Sequence, residues 1–217
     1  MLTALLAFSL FVAPAPAQPQ AAPSASQAAA AFDKGLPWTE YLAGTKQQHD
    51  VWVKNAGRDV STALIDRLRK AGSGLKILVI AEDWCSDSVN SIPYLGTLAG
   101  KAGVEMRVIT SEPGKPFMEA HRTPDGRAAT PTVVLIRDGK EVAAWTERPS
   151  SLQTWFIDMA GKIDTTDRQQ RKMSWYEWNR GDDALAEIVA LAERTARVDD
   201  GLQPVARGPE GPRLHQN

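Results

Sequence analysis

The sequence predicts an α/β fold in which helices flank a central mixed sheet. An apolar run at 75–81 precedes a helical pattern that continues to about residue 98, and a second, alternating run occupies 104–109. Two further apolar runs, 132–137 and 141–145, flank the dipeptide Asp138-Gly139, which is a strong hairpin signal. A strand–helix–strand order implies a parallel pair with a right-handed crossover, whereas a hairpin is antiparallel. The sheet is therefore expected to be mixed.

The segments before the first strand are predicted to be helical and to extend the core at its N-terminus. Thr39 is suited to cap a helix that runs through Tyr41, Leu42 and Trp52. Ser61 precedes a second helix with apolar residues at helical spacing, namely Leu64, Ile65 and Leu68.

Three helical segments are predicted after the second strand. One lies around 117–121, before the hairpin. Another follows the hairpin, where the i, i+3, i+4, i+7 spacing of apolar residues is met by Leu152, Trp155, Phe156 and Met159. The last runs from about Asp182 to Ala196, with two aspartates at its N-terminus, where negative charge is favourable.

Composition indicates one sizeable core and no nucleic-acid partner. The chain has 217 residues, 43% of them hydrophobic, and a formal net charge of −1. A nucleic-acid-binding domain usually carries a basic patch, which this charge balance does not suggest. The predicted organisation is a signal peptide at 1–17, a flexible Ala/Gln/Pro/Ser-rich linker at 18–31, a folded domain at 32–198 and a disordered Gly/Pro-rich tail at 199–217.

Residues 1–17 are typical of a secretory signal peptide, since an apolar stretch ends in Ala15-Pro16-Ala17 before Gln18. The pattern lacks a Lys or Arg ahead of the apolar stretch. The alternative is a buried N-terminal helix, but about a dozen apolar residues beside a Pro-rich segment have little to pack against and are too few to span a bilayer comfortably. We therefore expect a periplasmic or secreted protein with no stable membrane insertion after cleavage.

The most informative feature of the chain is its only cysteine, Cys85, which directly follows the first predicted strand. A helix N-terminus favours thiolate over thiol, so this position suits a nucleophile. The Trp84-Cys85-x-x-Ser88 run resembles the Trp-Cys-x-x-Cys site of thioredoxin-fold proteins, and Pro93 lies eight positions after the cysteine as a helix-kinking proline does there. Thr130-Pro131, ahead of the third strand, resembles the thioredoxin cis-proline loop.

The chain is thus similar to a bacterial thioredoxin-like family whose usual motif is Trp-Cys-Gly-Asp-Cys. Asp87 matches that motif, whereas Ser86 stands for the glycine and Ser88 for the resolving cysteine. The run Glu147-Arg148-Pro149 also matches the family. The resemblance implies a thioredoxin-like fold with N-terminal and C-terminal helical extensions.

The resemblance implies that Cys85 and Ser88 form the catalytic pair and that Trp84, Thr130 and Pro131 contact substrate. A dithiol reductase needs a second thiol to release its mixed disulfide, and a serine cannot supply one. The Ser88 hydroxyl can instead donate a hydrogen bond to the Cys85 sulfur. We expect a monothiol protein of thiol–disulfide exchange and cell redox homeostasis, with little or no dithiol reductase activity.

Two alternatives stay open at this stage. In the first alternative, Cys85 is an inert buried cysteine, and the protein is a redox-inactive binding or scaffold module that holds a partner in the cleft around Trp84 and Pro131. Arg148 is expected to form a salt bridge near its turn, the alternative being a contact with an anionic substrate group.

The predicted partners are thiol- or disulfide-containing proteins or glutathione. The three histidines show no metal-ligand spacing with one another or with Cys85. We therefore predict no metal and no cofactor.

Overall fold

One mixed sheet forms the centre of the described chain. The structure, a computed structural model, describes residues 23–199. The strands are β1 (Leu36–Pro37), β2 (Leu75–Ile80), β3 (Glu105–Ile109), β4 (Thr132–Arg137) and β5 (Lys140–Thr146), and their spatial order is β1-β3-β2-β4-β5. β2 and β3 are parallel, and the other neighbours are antiparallel. The predicted mixed sheet, its parallel pair and its hairpin are confirmed.

Helices cover both faces of this sheet. They are α1 (Ala25–Lys34), α2 (Trp38–Gly44), α3 (His49–Ala56), α4 (Thr62–Ala71), α5 (Ser86–Val89), α6 (Ile92–Ala102), α7 (Ser111–Ala120), α8 (Ser150–Asp158), α9 (Thr165–Asn179) and α10 (Asp182–Asp199). Ile77 and Val79 of β2 pack on the face covered by α4, α6 and α10. Leu78 and Ile80 point the opposite way, toward α1 and α7, as the two-residue period of a strand requires.

The predicted flexible linker at 18–31 is wrong from Ala25 onward, because α1 begins there. Ser24 and Gln27 form a reciprocal capping box at its start. Ala28 and Phe32 then bury their side chains against the β2 face that contains Leu78. This packing outweighs the linker-like composition. The predicted signal peptide at 1–17, residues 18–22 and residues 200–217 of the predicted tail lie outside the described residues.

The single helix predicted from Thr39 through Trp52 is also wrong, since two helices cover this stretch. Pro37, rather than Thr39, occupies the N-cap of α2. Thr45 ends that helix by donating both its backbone N–H and its hydroxyl to the carbonyl of Leu42. Gln48 has a left-handed backbone (φ 53°) and redirects the chain into α3. The predicted helix after Ser61 is confirmed as α4.

The helix after Cys85 is broken rather than merely kinked. α5 ends at Val89, and α6 begins at Ile92 with Pro93 in its first turn. A proline is tolerated there because the N–H groups of a first helical turn have no partner within the helix. The break leaves Cys85 as the N-cap of a very short helix that contains the whole Ser86–Ser88 motif.

The C-terminal part contains one helix that the sequence pattern did not predict, α9. It begins at the cap residue Asp164, whose carboxylate accepts the N–H groups of Thr166 and Asp167. The final helix, α10, starts at Asp182 as predicted and ends three residues later than predicted. None of the helices in residues 23–199 has the length and apolar character needed to cross a membrane.

Candidate active site

Cys85 lies directly beyond the C-terminal end of β2, at the start of α5. Its carbonyl accepts the N–H of Val89 at 3.0 Å, which closes the single turn of α5. Its side chain is 8% exposed, and the thiol donates a hydrogen bond to the carbonyl oxygen of Thr130 at 3.3 Å. This bond uses the thiol proton, so the sulfur can act as a nucleophile only after the bond is broken. The structure thus joins two regions that the sequence separates by 45 positions.

The Thr130–Pro131 peptide is cis, in agreement with the loop predicted from the sequence. Thr130 is half-buried and Pro131 is buried. The carbonyl of Pro131 accepts the N–H of Glu147 at 2.7 Å, which fastens the loop to the end of β5. The backbone N–H of Thr130 makes no hydrogen bond within residues 23–199. This N–H belongs to the same residue whose carbonyl accepts the Cys85 thiol.

Ser88 does not form the expected hydrogen bond to Cys85. Its side chain is completely buried, and its hydroxyl oxygen has no hydrogen-bond partner in the described part of the chain. The thiol is turned toward Thr130 instead. A buried hydroxyl without a partner costs about 1–3 kcal/mol, so this serine is not explained by its contribution to stability.

Trp84 is 56% exposed and stands beside the cysteine at the surface, as predicted. The N-cap residue of α3 and a residue within that helix fix the backbone of this turn. The side-chain amide of Gln48 donates to the carbonyl of Trp84 at 2.7 Å, and the indole N–H of Trp52 donates to the carbonyl of Asp83 at 3.0 Å. Trp178 on α9 is even more exposed, at 76%, so Trp84 is not the sole tryptophan at the surface.

Asp87 is the centre of a buried ionic cluster that connects the cysteine turn to α9. Arg148 contacts both carboxylate oxygens, at 3.1 and 3.0 Å. Lys172 approaches the same carboxylate at 3.1 Å and also donates to the hydroxyl of Ser86 at 3.0 Å. The phenol of Tyr176 completes the cluster with a hydrogen bond of 2.8 Å to Asp87.

The charge balance of the cluster keeps Asp87 ionised. Burial alone raises the pKa of a carboxyl group, but the charges of Lys172 and Arg148 and the hydrogen bonds from Arg148 and Tyr176 outweigh it and lower the pKa of Asp87. The same environment raises the pKa of Tyr176 well above its ordinary value, chiefly through burial and then through the charge of Asp87. Tyr176 is therefore a hydrogen-bond donor and not a base at neutral pH.

Arg148 has its donors occupied within the protein. Besides Asp87, it contacts Glu147 at 2.9 Å and the side-chain oxygen of Gln153 at 3.0 Å. Its guanidinium also lies 4.2 Å from the ring centre of Phe156. This arrangement agrees with the salt-bridge role expected from the sequence and leaves no donor for an anionic substrate.

A family model described as Thioredoxin matches residues 35–175. The chain belongs to the thioredoxin family. The match covers the sheet, the cysteine turn and the cis-proline loop, and it ends within α9.

Two crystal structures share the fold of this thioredoxin-family chain. One is a protein of unknown function from Pseudomonas aeruginosa, with 15% sequence identity and a TM-score of 0.58, covering 76% of this chain and 95% of that chain. The other is an HIV epitope-scaffold, with 17% identity and a TM-score of 0.59, covering 76% of this chain and 97% of that chain. No curated protein matches the chain. At these identities the likenesses establish the fold alone.

The structure brings together Trp84, Cys85, Ser88, Thr130 and Pro131, which were predicted as site residues. Sequence reasoning missed Lys172 and Tyr176, which contact the motif aspartate from a position more than eighty residues downstream. No local spacing signals such contacts. The identity of Asp87 was the one available indication, because a buried carboxylate requires partners.

Proposed function

We propose that this thioredoxin-family protein carries out monothiol thiol–disulfide exchange through Cys85. The supporting observation is the contact between the Cys85 sulfur and the Thr130 carbonyl, beside a Thr130 N–H that has no partner in the described chain. An extended peptide could pair with this backbone as an added strand and so place a disulfide next to the sulfur. Trp84 would then cover one side of the bound segment.

The reaction needs no second cysteine in the chain. The Cys85 thiolate attacks one sulfur of a partner disulfide, a Cys85–partner disulfide forms, and the other partner sulfur leaves as a thiolate. An external thiolate such as glutathione then attacks the partner sulfur of this mixed disulfide. That step releases Cys85 and leaves the partner joined to the external thiol. The hydroxyl of Ser88, which has no partner in the resting site, is suited to donate to the sulfur once the thiol proton has left.

We further propose that the exchange takes place outside the cytoplasm, in the periplasm or in secreted form. The apolar stretch at 1–17 and its Ala15-Pro16-Ala17 ending support export. In an exported protein with one cysteine, the thiol is free or paired with another molecule.

The deciding experiment measures alkylation of Cys85 against pH and the intact mass after treatment with oxidised glutathione. Monothiol exchange predicts a pH-dependent thiolate reaction and an adduct of one glutathione, and both signals should disappear in Cys85→Ser. A thiol that resists alkylation and glutathione in the folded protein would contradict the proposal.

The second candidate is a redox-inactive binding module of the same fold. The large exposed surface of Trp84, compared with the 8% exposure of Cys85, favours it. This candidate predicts that Cys85→Ser retains partner binding while Trp84→Ala loses it. Under the exchange proposal, Cys85→Ser loses the covalent partner.

A further inference from the structure

A groove of about 360 Å³ lies between α8 and α9. Its lining consists of Ser151, Leu152 and Trp155 from α8 and of Arg171 and Trp175 from α9. Leu152 is buried, and both tryptophans are half-buried. None of these five residues takes part in the proposed exchange at Cys85, so the groove is a separate feature of the surface.

The groove combines flat apolar rings with unused hydrogen-bond donors. The indole N–H groups of Trp155 and Trp175 make no hydrogen bond within residues 23–199. The ring of Trp178, which is 76% exposed, lies 6.4 Å from that of Trp175 and extends the apolar surface. Aromatic-lined grooves of this kind bind proline-rich segments in the polyproline II conformation, whose backbone carbonyls have no partner within the segment.

Arg171 adds a positive charge to the groove, which selects among the proline-rich segments of this chain. Its side chain is exposed and forms no ion pair within residues 23–199. An occupant with an acidic residue beside its prolines complements this charge. Residues 1–24 contain several prolines but no Asp or Glu, whereas residues 200–217 contain the run Pro209-Glu210-Gly211-Pro212. Charge therefore favours the C-terminal segment.

The spacing within that run suits a groove. Polyproline II has three residues per turn, so Pro209 and Pro212 lie on one side of the segment, about 9 Å apart. Arg207 precedes Glu210 by one such turn. An acidic counterpart for Arg207 is Asp183 of α10, whose carboxylate contacts the hydroxyl of Ser151 at 3.4 Å.

The chain that follows α10 is long enough to reach the groove. The contact between Ser151 and Asp183 places the groove beside the first turn of α10. From Asp183 to Asp199 the helix is about 24 Å long. Residues 200–208 span about 28 Å in polyproline II, so a segment that turns back along α10 brings Pro209 to the groove.

We propose that residues 200–217 dock into the groove between α8 and α9, with Pro209 and Pro212 against the two tryptophans and Glu210 beside Arg171. The segment is too polar to form a core of its own, but polyproline II needs no internal hydrogen bonds. Docking joins α8 to α9 on the side of α9 that does not contact Asp87. The inference goes beyond the proposed exchange and does not depend on it.

Trypsin cleavage of the full chain after Arg207 and Arg213 tests the docking. Intact mass follows the loss of the segment, and a synthetic peptide of residues 200–217 gives the rate without protection. A segment on a short tether has an effective concentration on the order of 1 mM. With a Kd of about 0.1 mM, roughly nine-tenths of the molecules are docked, so both bonds should be cleaved about tenfold more slowly than in the peptide.

Variants of the groove leave the cleaved sequence unchanged. Trp175→Ala should abolish the protection. Arg171→Gln removes one exposed charge pair, which lowers affinity up to about fivefold, so protection should fall to about threefold. Lys115→Gln is the matched control, because Lys115 is an exposed cation on α7 that does not line the groove, and it should leave protection at its full value.

A double variant tests the contact between Arg171 and Glu210. With each rate divided by that of the matching peptide, Glu210→Gln should reduce protection in the wild type and cause no further loss in Arg171→Gln, since paired residues are not additive. Additive losses would overturn this pairing. Glu210→Gln lies outside the folded domain, so its effect does not depend on the domain's stability.

Three results would overturn the docking. The first is cleavage of the full chain at the rate of the peptide. The second is protection that Arg171→Gln leaves unchanged, which decides the groove even if Trp175→Ala fails to fold. The third is protection that rises with protein concentration, because the segment would then occupy the groove of a second copy rather than its own.

Discussion

Replacing Asp87 with asparagine tests whether the buried ionic cluster holds the cysteine turn against α9. The substitution preserves shape but removes the charge that faces Arg148 and Lys172, both of which are buried. Arg148 retains Glu147, whereas Lys172 is left with two neutral partners, the hydroxyl of Ser86 and the ring of Phe156 at 5.5 Å. Breaking a buried ion pair on one side costs about 3–5 kcal/mol, because the remaining charge is left uncompensated.

This loss is large enough to measure by equilibrium unfolding in urea. For a domain of this size, a loss of that magnitude lowers Tm by roughly 6–20 °C. With a urea dependence of about 3 kcal/mol per molar, the unfolding midpoint falls by roughly 1–1.7 M. Cys85 should also be alkylated faster in the folded variant, since the carboxylate of residue 87 no longer ties its turn to Arg148 and Lys172.

Asp66→Asn is the matched control. Asp66 pairs with Arg69 on the surface, where both side chains are 53% exposed, and surface pairs of this kind contribute only about 0–1 kcal/mol. If Asp87→Asn costs no more than this control, the reasoning is refuted, and apolar packing rather than ion pairing would hold α9.

Three other predictions follow from the same structure. The difference in unfolding free energy between wild type and Asp87→Asn should have its full size above about pH 4 and shrink as acid is added. The pKa of Asp87 is lowered in the folded state, so the stability that its charge contributes is lost as the pH falls through the folded-state pKa. Urea unfolding at several pH values checks this, and a difference independent of pH would contradict it. Gly96→Ala should destabilise the folded protein by about 1–3 kcal/mol, since the added Cβ would lie 2.2 Å from the Trp38 ring. Gly100→Ala in the same helix meets no atom within 4 Å and should stabilise the protein by about 0.5–1 kcal/mol. Equal effects of the two substitutions in thermal unfolding would disprove the role assigned to packing against Trp38. Ser88→Cys should raise insulin disulfide reduction above that of the wild type, and a variant no more active than the wild type in a turbidity assay would show that the surrounding site is unsuited to dithiol chemistry.

The sequence was sufficient for four of the five strands, because these follow local rules, whereas the two-residue strand β1 was not predicted. β2 and β4 are apolar runs of the expected length, and the hairpin is specified by Asp138 and Gly139, which both adopt positive φ. Cys85 could be placed for the same reason, since it directly follows a recognisable strand. The thiol contact with Thr130 could be anticipated only through the family resemblance.

The parts that the sequence did not predict depend on tertiary contacts. The inward face of α9 is polar, with Lys172, Tyr176 and Asn179 buried, so the helix lacks an apolar stripe. The burial of this polar face is explained by its charged partner, the carboxylate of Asp87, which lies on the distant cysteine turn. Likewise, α1 has a composition typical of a linker and becomes ordered through the burial of Ala28 and Phe32. Periodicity cannot reveal either case.

The order in which the chain is synthesised affects when the buried ionic cluster around Asp87 can form. Ribosomes release the chain from its N-terminus, and the phenol that contacts Asp87 comes 89 positions later. The sulfur of Cys85 therefore emerges well before the residues that confine its turn. During that interval the nascent chain presents an unshielded thiol, and an oxidant or a chaperone that carries a disulfide can react with it before the finished protein restricts access.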